Sequence, residues 1–208
     1  MRYHKTPDTL QRIFSSFIWK KPQTTPTIYL TFDDGPIPEL TPFILDLLTQ
    51  YKAKATFFCV GDNIRKYSTI FQDIIKNEHQ IGNHTYNHLN AWKTDKKVYL
   101  ENIELCKQEI ENQGAKSNFF RPPYGKLSFN LRKDIIKEHQ IVMWDVLSYD
   151  FDQTISPENC LKNSINYTQN GSLIVFHDNI KATKNIEYTL PRYLEYFSEK
   201  GFMFEKLY

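Results

Sequence analysis

The stretch Thr27-Ile-Tyr-Leu-Thr-Phe-Asp-Asp-Gly-Pro36 decides the fold, because an apolar, β-branched run ends abruptly in two carboxylates and a Gly-Pro turn. Such a run is typical of a buried strand. In α/β proteins the functional groups gather just beyond the carboxyl ends of the strands. Working outward, similar short runs recur along the chain and alternate with longer amphipathic stretches, which predicts a mostly parallel sheet with helices on it.

Seven runs have strand character: 27–32, 55–60, 80–83, 118–121, 141–147, 172–176 and 202–207. Six stretches between them have the helical pattern: 38–51, 63–77, 96–113, 128–138, 157–169 and 186–200. Seven strands in alternation with six helices favour a barrel over an open three-layer sheet. We therefore predict an α/β fold, a distorted (β/α) barrel of about seven parallel strands in a single domain.

Composition narrows the functional classes. The chain has 208 residues, 40% of them hydrophobic, which is enough for one domain with a large core. A formal net charge of +2 gives no electrostatic basis for binding nucleic acid or an anionic membrane. Three widely spaced cysteines, Cys59, Cys106 and Cys160, argue against a disulfide framework. We expect a monomer.

The first 26 residues are expected to form a helical extension packed on a domain that spans 27–208. Asp8 is the candidate N-cap of its helix. The side chains expected to pack on the domain are Leu10, Ile13, Phe14 and Phe17. The apolar stretch 13–19 is too short for a transmembrane segment and makes a poor signal peptide. With no export signal visible, the location is unknown and cytoplasmic by default.

Two polar segments predict a metal site. Asp33 and Asp34 end a strand and should point apart, so that one could bind a cation while the other serves as a base. His84 and His88 are four residues apart, and on a short helix this spacing places both rings on one face. Two imidazoles and one carboxylate leave an open coordination position, which zinc uses for hydrolysis and non-haem iron for oxygen chemistry.

Two further segments supply groups for acid–base chemistry. The prolines after Arg121 fix the loop, so that its guanidinium could pair with a carboxylate, and the Tyr124-Gly125 backbone could face an oxyanion. His177 ends the apolar run 173–176, and Asp150 is a candidate partner that would raise the pKa of the imidazole. A protonated histidine suits amide cleavage, because an amine leaves poorly unless it receives a proton.

These motifs, in this order from about Thr27 to the C-terminus, resemble the polysaccharide deacetylase family, the NodB-homology domains of carbohydrate esterase family four. The resemblance implies a distorted (β/α) barrel. It also implies a zinc site, with Co²⁺ or Ni²⁺ as possible substitutes, formed by Asp34, His84 and His88. The remaining roles that it implies are these: Asp33 as base, Arg121 orienting that base, the Tyr124 N–H as oxyanion donor, Asp150 tuning the acid, and His177 as that acid.

Two motifs depart from the family pattern. Where relatives often have Asp-x-x-Asp-Trp, this chain has Leu147-Ser-Tyr-Asp150-Phe151, and Val175 stands where leucine is usual. By the resemblance, Phe151, Val175 and Trp144 line the pocket for the acyl group, so these departures bear on substrate choice.

The function that the resemblance implies is removal of N-acetyl groups from a GlcNAc-containing glycan, such as peptidoglycan or a chitin-like oligomer. The glycan is then the expected partner. Hydrolysis of O-acetyl esters or of a small non-sugar amide is the main alternative. A non-catalytic glycan-binding module and an iron oxygenase are weaker ones.

Overall fold

Strand β1 (Thr27–Asp33) lies in the middle of the sheet, and all seven of its residues are buried. A computed structural model describes residues 2–208. The other strands are β2 (Thr56–Cys59), β3 (Gln80–Asn83), β4 (Phe119–Phe120), β5 (Gln140–Ile141), β6 (Val146–Leu147), β7 (Leu173–His177) and β8 (Met203–Glu205). Their order is β5-β4-β3-β2-β1-β7-β6, with β8 also paired to β1. Every pairing between these strands is parallel, which confirms the predicted α/β class and barrel-like sheet.

Helices connect the strands, as the alternation predicts. They are α1 (Asp8–Ile13), α2 (Leu40–Gln50), α3 (Gly61–Lys66), α4 (Ser68–Lys76), α5 (Lys96–Asn112), α6 (Phe129–Ile135), α7 (Pro157–Tyr167) and α8 (Thr183–Glu199). The predicted helix 63–77 is two helices, because Tyr67 has φ −124° and interrupts the helical path. Among residues 2–208, no helix combines the length and the apolar character needed to cross a bilayer.

Alternation along β1 determines which of its side chains reach the site. Ile28, Leu30 and Phe32 join the main core with residues of helices α2, α4 and α8. The intervening residues point to the opposite face of the sheet, as the two-residue period of a strand requires. Thr31 and Asp33 therefore share the face on which the polar groups of the barrel interior meet.

The predicted strand 141–147 is two short strands rather than one. Strand β5 pairs with β4, whereas β6 pairs with β7, so the two lie at opposite ends of the sheet order. The continuous segment 140–147 therefore joins both ends of the curled sheet, and its backbone leaves the strand ladder between residues 142 and 145. The polar groups freed there must find other partners.

Residues 2–26 supply some of those partners. The Ile18 N–H donates to the Ile141 carbonyl (2.9 Å), and the Met143 N–H donates to the Ile18 carbonyl (2.8 Å). Trp19 is 6% exposed and belongs to a second core cluster with Ile141 and Met143. Phe14 and Phe17 pack against this cluster as predicted. The division of the chain at residue 26 stays a prediction.

The predicted apolar face of α1 is wrong. Leu10 and Ile13 are 39% and 70% exposed, while Gln11 is buried. The Gln11 side chain donates to the Thr6 carbonyl (3.1 Å) and to Asp145 Oδ1 (3.1 Å). The helix turns a polar residue inward because Asp145 is fully buried and its carboxylate needs donors.

Candidate active site

The four sequence motifs meet in one cleft of about 700 Å³ at the carboxyl ends of the central strands. Asp33 and His177 face each other in register as the last residues of β1 and β7. His84 follows β3 directly, so the sheet delivers it to the same edge. This is the edge where parallel α/β sheets place their ligands.

Asp34, His84 and His88 form a cluster that suits a metal ion. One side-chain ligand atom from each lies within 4.8 Å of the others. Asp34 Oδ1 is 3.4 Å from His84 Nε2 and 3.0 Å from His88 Nε2. His84 Nδ1 lies 2.7 Å from the Arg121 carbonyl oxygen. Because a carbonyl only accepts, Nδ1 carries the hydrogen and Nε2 keeps the lone pair that a metal needs.

The predicted helix at His84–His88 is wrong, although both rings do face one point. Residues 84–88 form a loop in which Thr85 and His88 have positive φ angles of 63° and 54°. The N–H groups of Tyr86 and Asn87 both donate to Asn102 Oδ1 (2.9 Å each). Because this α5 side chain satisfies the backbone, the loop brings the imidazole centroids within 5.1 Å without helical hydrogen bonds.

Two asparagines hold Asp34 in place, and neither was recognised from the sequence. Asn179 Nδ2 donates to Asp34 Oδ2 (2.6 Å), which leaves Oδ1 to the imidazoles. Asn63 Nδ2 donates to the Asp34 carbonyl (2.8 Å) and fixes a backbone with φ 86°. Burial would raise the pKa of Asp34, but the neighbouring His84 and His88 rings outweigh burial and hold that pKa well below its ordinary value of 3.8. The carboxylate is thus ionised, as a metal ligand must be.

Asp33 is held by a buried arginine. Arg121 Nη1 donates to Asp33 Oδ1 (2.6 Å) and to Thr31 Oγ1 (2.8 Å). The same guanidinium donates from Nε to the Val142 carbonyl (3.2 Å) and from Nη2 to the Met143 carbonyl (2.9 Å). Arg121 is 0% exposed, and each of its three guanidinium nitrogens has a hydrogen-bond partner in this dry site. Burial lowers the pKa of Arg121, and the Asp33 carboxylate opposes that effect.

His177 and Asp150 form the second ion pair of the cleft. The His177 ring Nδ1–H donates to Asp150 Oδ1 (2.8 Å), and the His177 backbone N–H donates to Oδ2 (2.6 Å). Ser148 Oγ also donates to Oδ1 (2.8 Å). Burial would lower the pKa of His177, but the Asp150 carboxylate outweighs it and raises the pKa to about 9. The imidazole is therefore a cation with Nε2–H free at neutral pH.

The loop after Arg121 supplies the remaining wall. Tyr124 has φ 61°, and the next two amides, Gly125 and Lys126, donate to carbonyls of Pro122 and Pro123. Within residues 2–208 no such bond is made by the Tyr124 N–H. Trp144 packs on Gly125 so closely that a Cβ there would lie 2.4 Å from its ring. Trp144, Phe151 and Val175 all line the cleft, as does Leu147.

Asp178 is a further residue whose importance the sequence motif did not reveal. Its Oδ1 accepts from the Gly35 N–H (2.9 Å) and its Oδ2 accepts from Thr41 Oγ1 (2.7 Å). Burial raises the pKa of Asp178 to about 8. A Cβ at Gly35 would lie 1.8 Å from Asp178 Oδ2, so only glycine fits this turn. The pair fixes the backbone immediately after the two carboxylates.

Comparisons with known proteins identify similar deacetylases. A peptidoglycan-N-acetylglucosamine deacetylase of Bacillus cereus is 37% identical over 165 residues, which are 78% of this chain and 59% of that protein. A second B. cereus protein of the same name is 31% identical over 189 residues, 89% of this chain and 88% of that protein. A solved peptidoglycan N-acetylglucosamine deacetylase, in complex with 4-naphthalen-1-yl-N-oxidanyl-benzamide, has a TM-score of 0.88 at 31% identity. That alignment covers 97% of this chain and 95% of the solved one.

A family profile described as polysaccharide deacetylase matches residues 20–144. This match covers more than half of the chain and therefore identifies its family. The profile covers the carboxylate pair, the two histidines and the arginine loop. The family resemblance of the motifs is confirmed, and the chain belongs to the polysaccharide deacetylase family.

Proposed function

We propose that this protein is a zinc-dependent hydrolase that removes N-acetyl groups from a GlcNAc-containing glycan and releases acetate. One observation carries the proposal: an arginine-held carboxylate and a carboxylate-held imidazolium face the same cleft as a three-ligand metal cluster. The names of the two B. cereus relatives and of the solved structure support the N-acetyl sugar as substrate. We also propose that the chain acts as a monomer.

Asp34, His84 and His88 would hold the zinc ion. When bound, zinc polarises a carbonyl oxygen and lowers the pKa of a coordinated water toward neutrality. The donor set, two imidazole nitrogens and one carboxylate oxygen, is one that zinc accepts with a position left open, and Co²⁺ or Ni²⁺ could occupy the same ligands.

Asp33 takes the proton from the attacking water. Its carboxylate is buried, and Arg121 fixes one oxygen, so the other is the free acceptor. The Tyr124 N–H donates to the oxyanion that develops on the acetyl carbonyl. His177 then gives its Nε2 proton to the departing nitrogen, so that the sugar leaves as a neutral amine and acetate remains. A raised pKa suits this step, because the imidazole must still hold its proton when the C–N bond breaks.

Acetate release from purified protein tests the proposal. The protein is stripped with a chelator and reloaded separately with Zn²⁺, Co²⁺, Ni²⁺ or Fe²⁺. Each form is then assayed on GlcNAc oligomers, peptidoglycan and acetylated xylan. We expect release from the N-acetyl glycans to disappear with the chelator and to return with zinc.

The alternatives give different results in the same panel. Release from xylan acetate alone would favour an O-acetyl esterase. Ring opening of small cyclic amides, added to the panel, without acetate release from any glycan would favour a non-sugar amidase. Glycan binding without acetate release in any metal form would indicate a binding module. Activity restored only by Fe²⁺, with oxygen consumed, would indicate an oxygenase.

A further inference from the structure

A lysine held between two exposed aromatic rings lies beside the metal cluster. Lys126 Nζ is 5.1 Å from the centroid of the Trp92 ring and 5.9 Å from that of Tyr124. Tyr124 in turn packs against the His88 ring, with the ring centroids 4.6 Å apart and the ring planes tilted by 58°. Two ring contacts therefore separate the ammonium group from a candidate metal ligand, and we call Trp92, Tyr124 and Lys126 the aromatic rim.

The aromatic rim is open to a ligand. Trp92 is 66% exposed and Tyr124 is 58% exposed. A large exposed ring beside a cleft offers a flat apolar surface, and sugars present a matching face of C–H groups. Tyr124 also lines the cleft. A glycan whose reacting sugar lies beside the three candidate metal ligands would therefore place a neighbouring sugar on this rim.

The charge on the rim is uncompensated. Among the ion pairs formed by residues 2–208, none includes Lys126, and none includes Lys181, which lines the cleft. By contrast Lys96 and Lys107, on helix α5, each contact a carboxylate. The cleft therefore presents unpaired positive charge at its rim, although the whole chain carries a formal net charge of only +2.

We propose that the aromatic rim is a subsite for a sugar unit that carries a carboxylate, next to the N-acetyl sugar that reacts. The Trp92 and Tyr124 rings pack against the apolar face of that sugar, and the Lys126 ammonium group forms an ion pair with the carboxylate of the sugar. A neutral homopolymer of GlcNAc lacks this carboxylate, so the subsite favours an acidic glycan. This inference rests on the proposed deacetylase function and specifies its substrate.

The test compares kinetic constants on four glycans. One is a neutral GlcNAc oligomer, and the second is a peptidoglycan glycan strand whose stem peptides have been removed, which leaves lactyl carboxylates. The third is that strand with its carboxylates converted to methylamides. The fourth retains the stem peptides, whose own carboxylates are the other source of negative charge.

Lys126→Gln removes the charge and keeps most of the stem, and Lys200→Gln is the matched control. Lys200 Nζ also lies over a tyrosine ring, that of Tyr196, at 4.8 Å. It follows the far end of α8, about 25 Å along that helix from the cleft, by the usual rise of a 17-residue helix. A general effect of losing a surface lysine would therefore appear in both variants.

We expect Lys126→Gln to lower kcat/KM on the lactyl-carboxylate strand by about two- to fivefold, which corresponds to one exposed ion pair. The change should lie in KM, because Lys126 does not touch the reacting carbonyl. The effect of Lys126→Gln should be less than twofold on the neutral oligomer and on the methylamide strand. On the lactyl-carboxylate strand, 0.5 M salt should reduce the effect. Lys200→Gln should behave as the unaltered protein on every glycan.

The outcomes separate this inference from the function on which it rests. If the unaltered protein releases acetate from none of the four glycans, the proposed function fails and the subsite fails with it. Equal effects of Lys126→Gln on charged and neutral glycans, or no effect on either, would overturn the subsite alone. An effect confined to strands with stem peptides would show that the peptide carboxylate, and not the lactyl group, is what Lys126 binds.

Discussion

Asp33 and Asp34 are adjacent in sequence, yet their carboxylates have different partners. Asp33 ends strand β1 and accepts from Arg121, whereas Asp34 turns away with φ 86° toward two histidines. The prediction that the pair would point apart follows from its place after a strand, and the geometry agrees. The family resemblance indicates Asp34 as the candidate metal ligand, because strand alternation alone does not distinguish the two aspartates.

Asp33→Asn tests the base. An asparagine keeps the Oδ1 acceptor for Arg121 and the volume of the side chain, but its amide cannot take a proton from water. We expect metal content to be unchanged and acetate release to fall about 10²–10⁴-fold, the usual contribution of a general base. Metal analysis and turnover on a GlcNAc oligomer measure the two effects. Near-normal turnover in a metal-loaded variant would rule out the role proposed for Asp33.

Asp150→Asn tests the acid through its pH dependence. The Asp150 carboxylate is what raises the pKa of His177 to about 9 against the opposing effect of burial. Without that charge the imidazole loses its proton at lower pH, so the alkaline limb of the kcat/KM profile should move to lower pH. The measurement is a pH–rate profile for both proteins. An alkaline limb at the same pH in both would mean that His177 is not the acid.

The same ion pair affects stability with a definite sign. The pKa of His177 in the folded protein is above its ordinary value of 6.5, so the folded state binds the proton more tightly. This stabilisation is complete below about pH 6.5 and disappears as the pH rises through about 9.

At the scale of elements, spacing correctly predicted that the His84 and His88 rings would lie together, but for the wrong reason. Four residues between His84 and His88 suggested a helical turn, but the segment is a loop whose N–H groups bind Asn102. Asn102 is 14 residues further along, on α5, and nothing local marks it as a partner. Sequence periodicity indicates helices and strands. It does not indicate a loop that is stabilised by a distant side chain, because such a loop depends on tertiary contacts.

Arg121 ties three elements together, so Arg121→Lys should destabilise the fold. A lysine cannot reproduce the planar fork that reaches Asp33 in β1 and the carbonyls of Val142 and Met143. We expect a loss of about 1–3 kcal/mol in the free energy of unfolding, because lysine keeps the charge beside Asp33 but leaves buried carbonyls without donors. Denaturant titration measures it.

The control for this prediction is Arg192→Lys. Arg192 donates to the Tyr188 carbonyl within helix α8, at an exposed position, and its loss should change stability by no more than about 0.5 kcal/mol. Comparable losses in the two variants would contradict the role of Arg121 as a connector between strands.

At the scale of the whole molecule, the alternating pattern predicted the barrel but not how it closes. The run 141–147 reads as one strand because its residues are apolar throughout, and periodicity carries no signal that its two halves pair at opposite ends of the sheet. Nor does it indicate that Ile18 fills the gap by pairing with Ile141 and Met143. The strand pairings join residues 21 and 28 positions apart, and the Ile18 contacts join residues more than 100 positions apart, so neither feature is visible in a local pattern.

Trp19→Ala tests whether residues 2–26 are part of the barrel. Trp19 is 6% exposed, packs in the second core, and donates from Nε1 to the Phe14 carbonyl (2.9 Å). Removing it should cost about 3–5 kcal/mol, as for other buried tryptophans. Trp92→Ala is the matched control, because that ring is 66% exposed and its loss should cost no more than about 0.5 kcal/mol. Equal midpoints of denaturant unfolding in the two variants would mean that the N-terminal segment does not contribute to the stability of the barrel.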